Sequence, residues 1–89
     1  MKERYLEVTF RKGKPLAAYL YLPRHGEMKS AKTVEAFPGI LVDYAGSGEP
    51  IGLEITAPAH VTVEQINAVL APLGVAGMTP EEFAPLRAA

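Results

Sequence analysis

The sequence predicts an α+β fold: an antiparallel sheet of about five strands, arranged as hairpins or a meander, packed on a C-terminal helix with a short terminal helix after it. Two observations carry this expectation. From Tyr5 to Thr56 the apolar residues recur at every second position in short runs separated by Gly- and Pro-bearing turns, and from Thr62 onward they recur at helical spacing. With 89 residues the chain is read as one domain, 1–89, and a domain this small buries only about 60 to 70% of its unfolded surface. It contains no Cys, so neither a disulfide nor a Cys-based zinc site can staple the fold. Apolar packing, helped by a partner chain, is expected to stabilise it.

"YLEVTF" alternates Leu6, Val8 and Phe10 with Tyr5, Glu7 and Thr9, which makes a strand over 5–10 with two unlike faces. "RKGKP" supplies a turn with Gly13 and Pro15, and "AAYLYL" then alternates Leu20 and Leu22 with Tyr19 and Tyr21 in a strand over 17–22. The two form a hairpin. After the polar connection "RHGEMKS", "KTVEAF" makes a third strand over 32–37 that stops at the turn dipeptide Pro38-Gly39.

The next hairpin, 40–45 with 51–56, has a definite register, because slipping one residue would turn every apolar group outward. Pairing Ile40 with Ile55 sets Val42 against Leu53 and Tyr44 against Ile51 on one face, with Leu41 opposite Glu54 and Asp43 opposite Gly52 on the other. "GSGE" makes the turn, its two glycines free to adopt positive φ, and Pro50 stands at the strand entrance. Thr62 with Gln65 forms a capping-box pair at the head of a helix over 63–73, whose stripe is Ile66, Val69, Leu70 and Leu73 and whose C-terminal cap is Gly74. Thr79, Pro80 and Glu82 repeat the start signal for a second helix over 80–88, anchored by Phe83 and Leu86 and limited by Pro85.

No apolar run approaches the roughly 20 residues that a bilayer demands, and "MKERYLE" lacks a signal peptide's apolar segment, so the expected location is cytoplasmic with no membrane partner. Charge is lopsided along the chain. Residues 1–32 hold eight Lys and Arg against three acids, +5, and residues 33–89 hold one Arg against seven acids, −6. Such asymmetry marks either a nucleic-acid patch or two complementary faces.

"AAYLYL", "TVEAFPGILVDYAGSGEPIGLEI" and "HVTVEQINAVLAPLG" together resemble the small bacterial proteins catalogued as domain of unknown function 2283, over roughly residues 8 to 74. The most specific part is a strand ending in Val42-Asp43-Tyr44, a Gly-containing turn and a returning Ile51-Gly52-Leu53-Glu54-Ile55. The family's first hairpin usually carries acids where this chain has Arg11, Lys12 and Lys14. The resemblance implies the fold and a cytoplasmic bacterial setting, and no activity.

Three groups of residues are candidates for function. Asp43 and Glu54 share a face on a cross-strand diagonal, roughly 6 to 8 Å apart, a spacing that suits two-carboxylate catalysis or a hard-cation site. His25 and His60 fall in loops without metal-ligand spacing, and His60 is the candidate of the two for a base or a ligand. Arg11, Lys12 and Lys14 form a basic hairpin tip that, with Tyr5, Tyr19 and Tyr21 nearby, would suit single-stranded nucleic acid, although three charges give only weak, salt-sensitive affinity. The same tyrosines with Leu41 form an outer-face patch of the kind that marks a protein contact. The leading expectation is therefore a non-catalytic binding module without a cofactor, acting through a protein partner or as a homodimer. A metal protein or enzyme at Asp43 and Glu54 is the first alternative, and a weak nucleic-acid binder the second.

Overall fold

The structure, a computed structural model, describes residues 4–23 and 29–87. It is α+β, with five antiparallel strands followed by two short helices: β1 (Tyr5–Arg11), β2 (Lys14–Tyr21), β3 (Ser30–Phe37), β4 (Ile40–Ala45), β5 (Pro50–Ile55), α1 (Val63–Leu70) and α2 (Pro80–Phe83). The strands lie in the order β1-β2-β5-β4-β3, so the first hairpin joins a three-strand meander through β2 and β5. Alternation fixes which residues meet. Leu20 pairs with Leu53 and Ala18 with Ile55, while Leu53 pairs with Val42 and Ile55 with Ile40 on the other side. These rows form the floor of one buried cluster, which Ile66 and Leu70 of α1 cover together with Val61, Met78, Phe83 and Leu86.

The register of β4 on β5 follows the sequence expectation from Ile40 to Asp43 and then departs from it. A bulge between Asp43 and Tyr44 pairs Tyr44 with Pro50 instead of Ile51. Ala45 can then accept from the Gly48 amide at 2.9 Å and donate to the Glu49 carbonyl at 2.8 Å, which closes the turn early. Gly48 alone of the two turn glycines takes positive φ, 92°. β2 begins at Lys14, three residues ahead of the expected 17, with Pro15 paired to Phe10. This is tolerated because β2 meets β5 only from Ala18 to Tyr21, so at Pro15 the strand has no second neighbour to receive an N–H.

Both helices start where the capping pattern placed them. The Thr62 hydroxyl accepts from the Gln65 amide at 3.1 Å, and Gln65 Oε1 accepts from the Thr62 amide at 2.9 Å. Thr79 and Glu82 repeat the exchange at 3.2 and 2.9 Å. Each helix is shorter than expected. α1 tightens into a 3₁₀ turn over Ala71–Leu73, where Pro72 cannot donate to the helical ladder, and α2 does the same over Ala84–Arg87 around Pro85. Residue 88, the expected end, lies outside the described residues.

The C-terminal segment is tied down at two places. Asn67 of α1 donates to the Met78 carbonyl at 3.2 Å and accepts from the Met78 amide at 2.7 Å, holding the backbone of one residue on both sides as a neighbouring strand would. Arg4 reaches across from the approach to β1, bonding both oxygens of Glu82 at 3.0 and 3.1 Å as well as the carbonyls of Ala76 and Gly77. The guanidinium, followed by the Thr79 amide, holds the Glu82 carboxyl below its ordinary 4.5. A depressed carboxyl contributes stability that is complete above 4.5 and is lost as pH falls through the folded value. Acid titration of the wild type should therefore show a loss of stability below pH 4.5, and Arg4→Ala should flatten that slope. An unchanged slope in the variant would mean that the pair adds nothing to the fold.

Candidate functional site

The helices cover one face of the sheet and leave the other open, and the residues singled out from the sequence fall mainly on the open face. Tyr5 of β1 stacks on Tyr21 of β2, with ring centroids 4.6 Å apart and planes 18° from parallel. Tyr21 meets Tyr19 at 4.7 Å and 60°. The register explains the row: Tyr5 is directly opposite Tyr21 across the strand pair, and Tyr19 follows Tyr21 on the same face one pleat away. The Tyr21 hydroxyl donates to Glu7 Oε1 at 3.1 Å. That bond, with the nearby negative charge, raises the Tyr21 phenol above its ordinary value.

Asp43 continues the row toward the far edge. Its two carboxylate oxygens accept from the Tyr19 hydroxyl at 2.7 Å and from the Thr33 hydroxyl of β3 at 2.6 Å. To reach Asp43, Tyr19 must cross β5, which lies between β2 and β4. Gly52 makes the crossing possible. A Cβ at position 52 would run into the Tyr19 ring and hydroxyl, so only glycine leaves room for the phenol to lie on the β5 backbone. The chain of contacts thus runs from β1 through β2, over β5, to β4 and β3.

This arrangement bears on each candidate residue. Asp43 is half-buried, with both oxygens engaged, and acts as the acceptor that holds Tyr19 and Thr33. Glu54 is exposed on the same face, opposite Leu41 on one side and Tyr19 on the other. A cavity of about 150 Å³ lies beside it, lined also by Glu7, Thr9, Ala17 and Tyr19, and Asp43 does not reach that cavity. His60 is exposed at the end of a 3₁₀ turn, Pro58–His60, and His25 lies outside the described residues. Among the described residues, no three His, Cys, Asp or Glu side chains gather as a metal ion would need. Likewise, no described helix is long and apolar enough to cross a membrane.

One sequence expectation is corrected by the hairpin geometry. Arg11, Lys12 and Lys14 stand at the turn, where Lys12 and Gly13 both take positive φ, 53° and 79°. Tyr5 and Tyr21 pair at the opposite end of the same hairpin, six residues away along β1, or roughly 20 Å at strand rise. The rings nearest one another are accompanied by Glu7 and Asp43, not by the basic tip. The stacked Tyr5–Tyr21 pair and the basic tip therefore lie at opposite ends of the hairpin.

Reading single strands missed the Tyr19–Gly52–Asp43 contact, since the contact exists only once β2 is known to lie beside β5. The signal that could have suggested it is the lone Gly52 within an otherwise strand-like run. Compared with protein-family models, curated proteins and solved structures, the chain finds no match.

Proposed function

We propose that the chain is a non-catalytic interaction module that binds protein through the open face of its sheet, a second copy of itself being the first partner to test. The observation that carries this reading is the aromatic row. Tyr5 remains 48% exposed while its ring is held flat on Tyr21, so a large apolar surface is offered in one fixed orientation. Tyrosines held this way lose little side-chain freedom on association and are enriched at protein interfaces. Half-buried Leu41 adds an apolar neighbour on the same face, and exposed Glu7 and Glu54 provide a polar surround.

A catalytic or cation-binding role for Asp43 with Glu54 is less well supported. Both oxygens of Asp43 already accept a hydrogen bond within the sheet, so a cation would compete with the Tyr19 and Thr33 hydroxyls for the same carboxylate. Nucleic-acid binding is less well supported because the tyrosine end of the face is acidic. The likeness to domain of unknown function 2283 fits the same reading, because its most specific residues include Asp43 and Gly52, which organise the face. The cytoplasmic setting belongs to this proposal as well.

Light scattering across a concentration series should show the mean mass rising from monomer toward dimer. Tyr5→Glu should hold the protein at monomer mass at every concentration and remove any rise of melting temperature with protein concentration, and its fold should persist because Tyr5 lies outside the buried cluster. A monomer at every concentration, with its tyrosine emission fully open to a soluble quencher, would end the self-association reading.

A further inference from the structure

We propose a second site, independent of the open sheet face: a cleft on the opposite side of the molecule that takes a small anionic amphiphile, an apolar body ending in a carboxylate or phosphate ester. The cleft has a volume of about 350 Å³ and lies between the start of β2, the 3₁₀ turn at Pro58–His60 and the 3₁₀ turn at Ala84–Arg87. Its walls are Pro15, Pro58, Ala59, Val61 and Leu86, with Lys14 and Arg87 as its two charged groups. That is the composition of a small-molecule site, mostly apolar with a few polar groups that fix orientation.

The two cations make the choice of ligand. Both are exposed, and among the described residues neither has a carboxylate partner, the ion pair found there being that of Arg4 with Glu82. Arg87 is held over the Phe83 ring, 5.2 Å from its centroid, an arrangement that orients the guanidinium without neutralising it. Arginine presents a fork of N–H groups suited to a carboxylate or phosphate, and Lys14 adds a second positive charge to the cleft lining. The proline walls are rigid, so the apolar part needs little ordering when a ligand enters. A neutral apolar molecule would leave both cations unused, and an inorganic anion would leave the apolar walls wet.

The ligand is probed with octanoate, octyl phosphate and octanol, each below its aggregation concentration, followed by methyl NMR of Ala59, Val61 and Leu86. At least one of the two anions should give saturable shifts at these methyls and raise the melting temperature, since a ligand that binds only the folded chain must do so. Octanol should bind about tenfold more weakly, the effect of losing one charge-assisted contact. Preference between octanoate and octyl phosphate distinguishes a carboxylate from a phosphate source. Lys14→Glu and Arg87→Glu should each weaken the favoured anion, and Tyr5→Glu should leave it unchanged. The proposal is overturned if neither anion gives saturable shifts, if octanol binds as well as the anions, or if the shifts map to the tyrosine face.

Discussion

Leu53→Ala should lower the free energy of unfolding by about 2 to 5 kcal/mol, the range for removing a large aliphatic side chain from a packed core. Leu53 has no exposed surface, lies in the centre of the sheet and is flanked by Leu20 and Val42 on the two neighbouring strands. The helical layer closes over it through Ile66 and Leu70. Strands on both sides fix its backbone, so the space vacated cannot collapse easily, and the cost should fall in the upper part of that range. Asp43→Ala, one row away on the other face, removes two hydrogen bonds from hydroxyls that can turn to water, and should cost about 1 kcal/mol. Urea titrations of the two variants, compared at constant slope, measure the difference directly. A larger loss for Asp43→Ala than for Leu53→Ala would mean that the two faces have been assigned the wrong way round.

The difference between those two residues was legible in the sequence because it depends only on local alternation. Ile40, Val42, Leu53 and Ile55 announce their face by period two, and the Pro38-Gly39 and Gly46 to Glu49 turns set the hairpin lengths. The caps at Thr62 and Thr79 were equally legible, since each box closes within four residues. Strand order was not legible. β2 lies beside β5 after an intervening stretch of more than 25 residues, and no local signal records that pairing. Everything that depends on it was therefore hidden as well, including the role of Asp43. The sequence marked this residue as a possible acid, whereas its neighbours across two other strands make it a hydrogen-bond acceptor. The bulge at Tyr44 and the early start of β2 were hidden for a related reason, because each is set by what the adjoining strand leaves unpaired.

Gly52→Ala should destabilise the fold by about 1 to 3 kcal/mol, the usual cost of inserting a methyl group where packing leaves no room. The added Cβ would meet the Tyr19 ring, and both the Gly52 backbone and Tyr19 are held by pairing on each side, so the ring must swing away and release Asp43. Simple loss of glycine predicts something else. An exposed-face alanine in a β-strand is normally no worse than glycine, because glycine costs more backbone entropy to order. The two accounts separate in a double-mutant cycle. If the clash is the cause, Gly52→Ala should be close to neutral in a Tyr19→Ala background, giving a coupling of about 1 kcal/mol or more between residues that are far apart in sequence. If the two losses add without coupling, Tyr19 does not lie across β5, and the open face is not the ordered aromatic surface that the interaction reading requires.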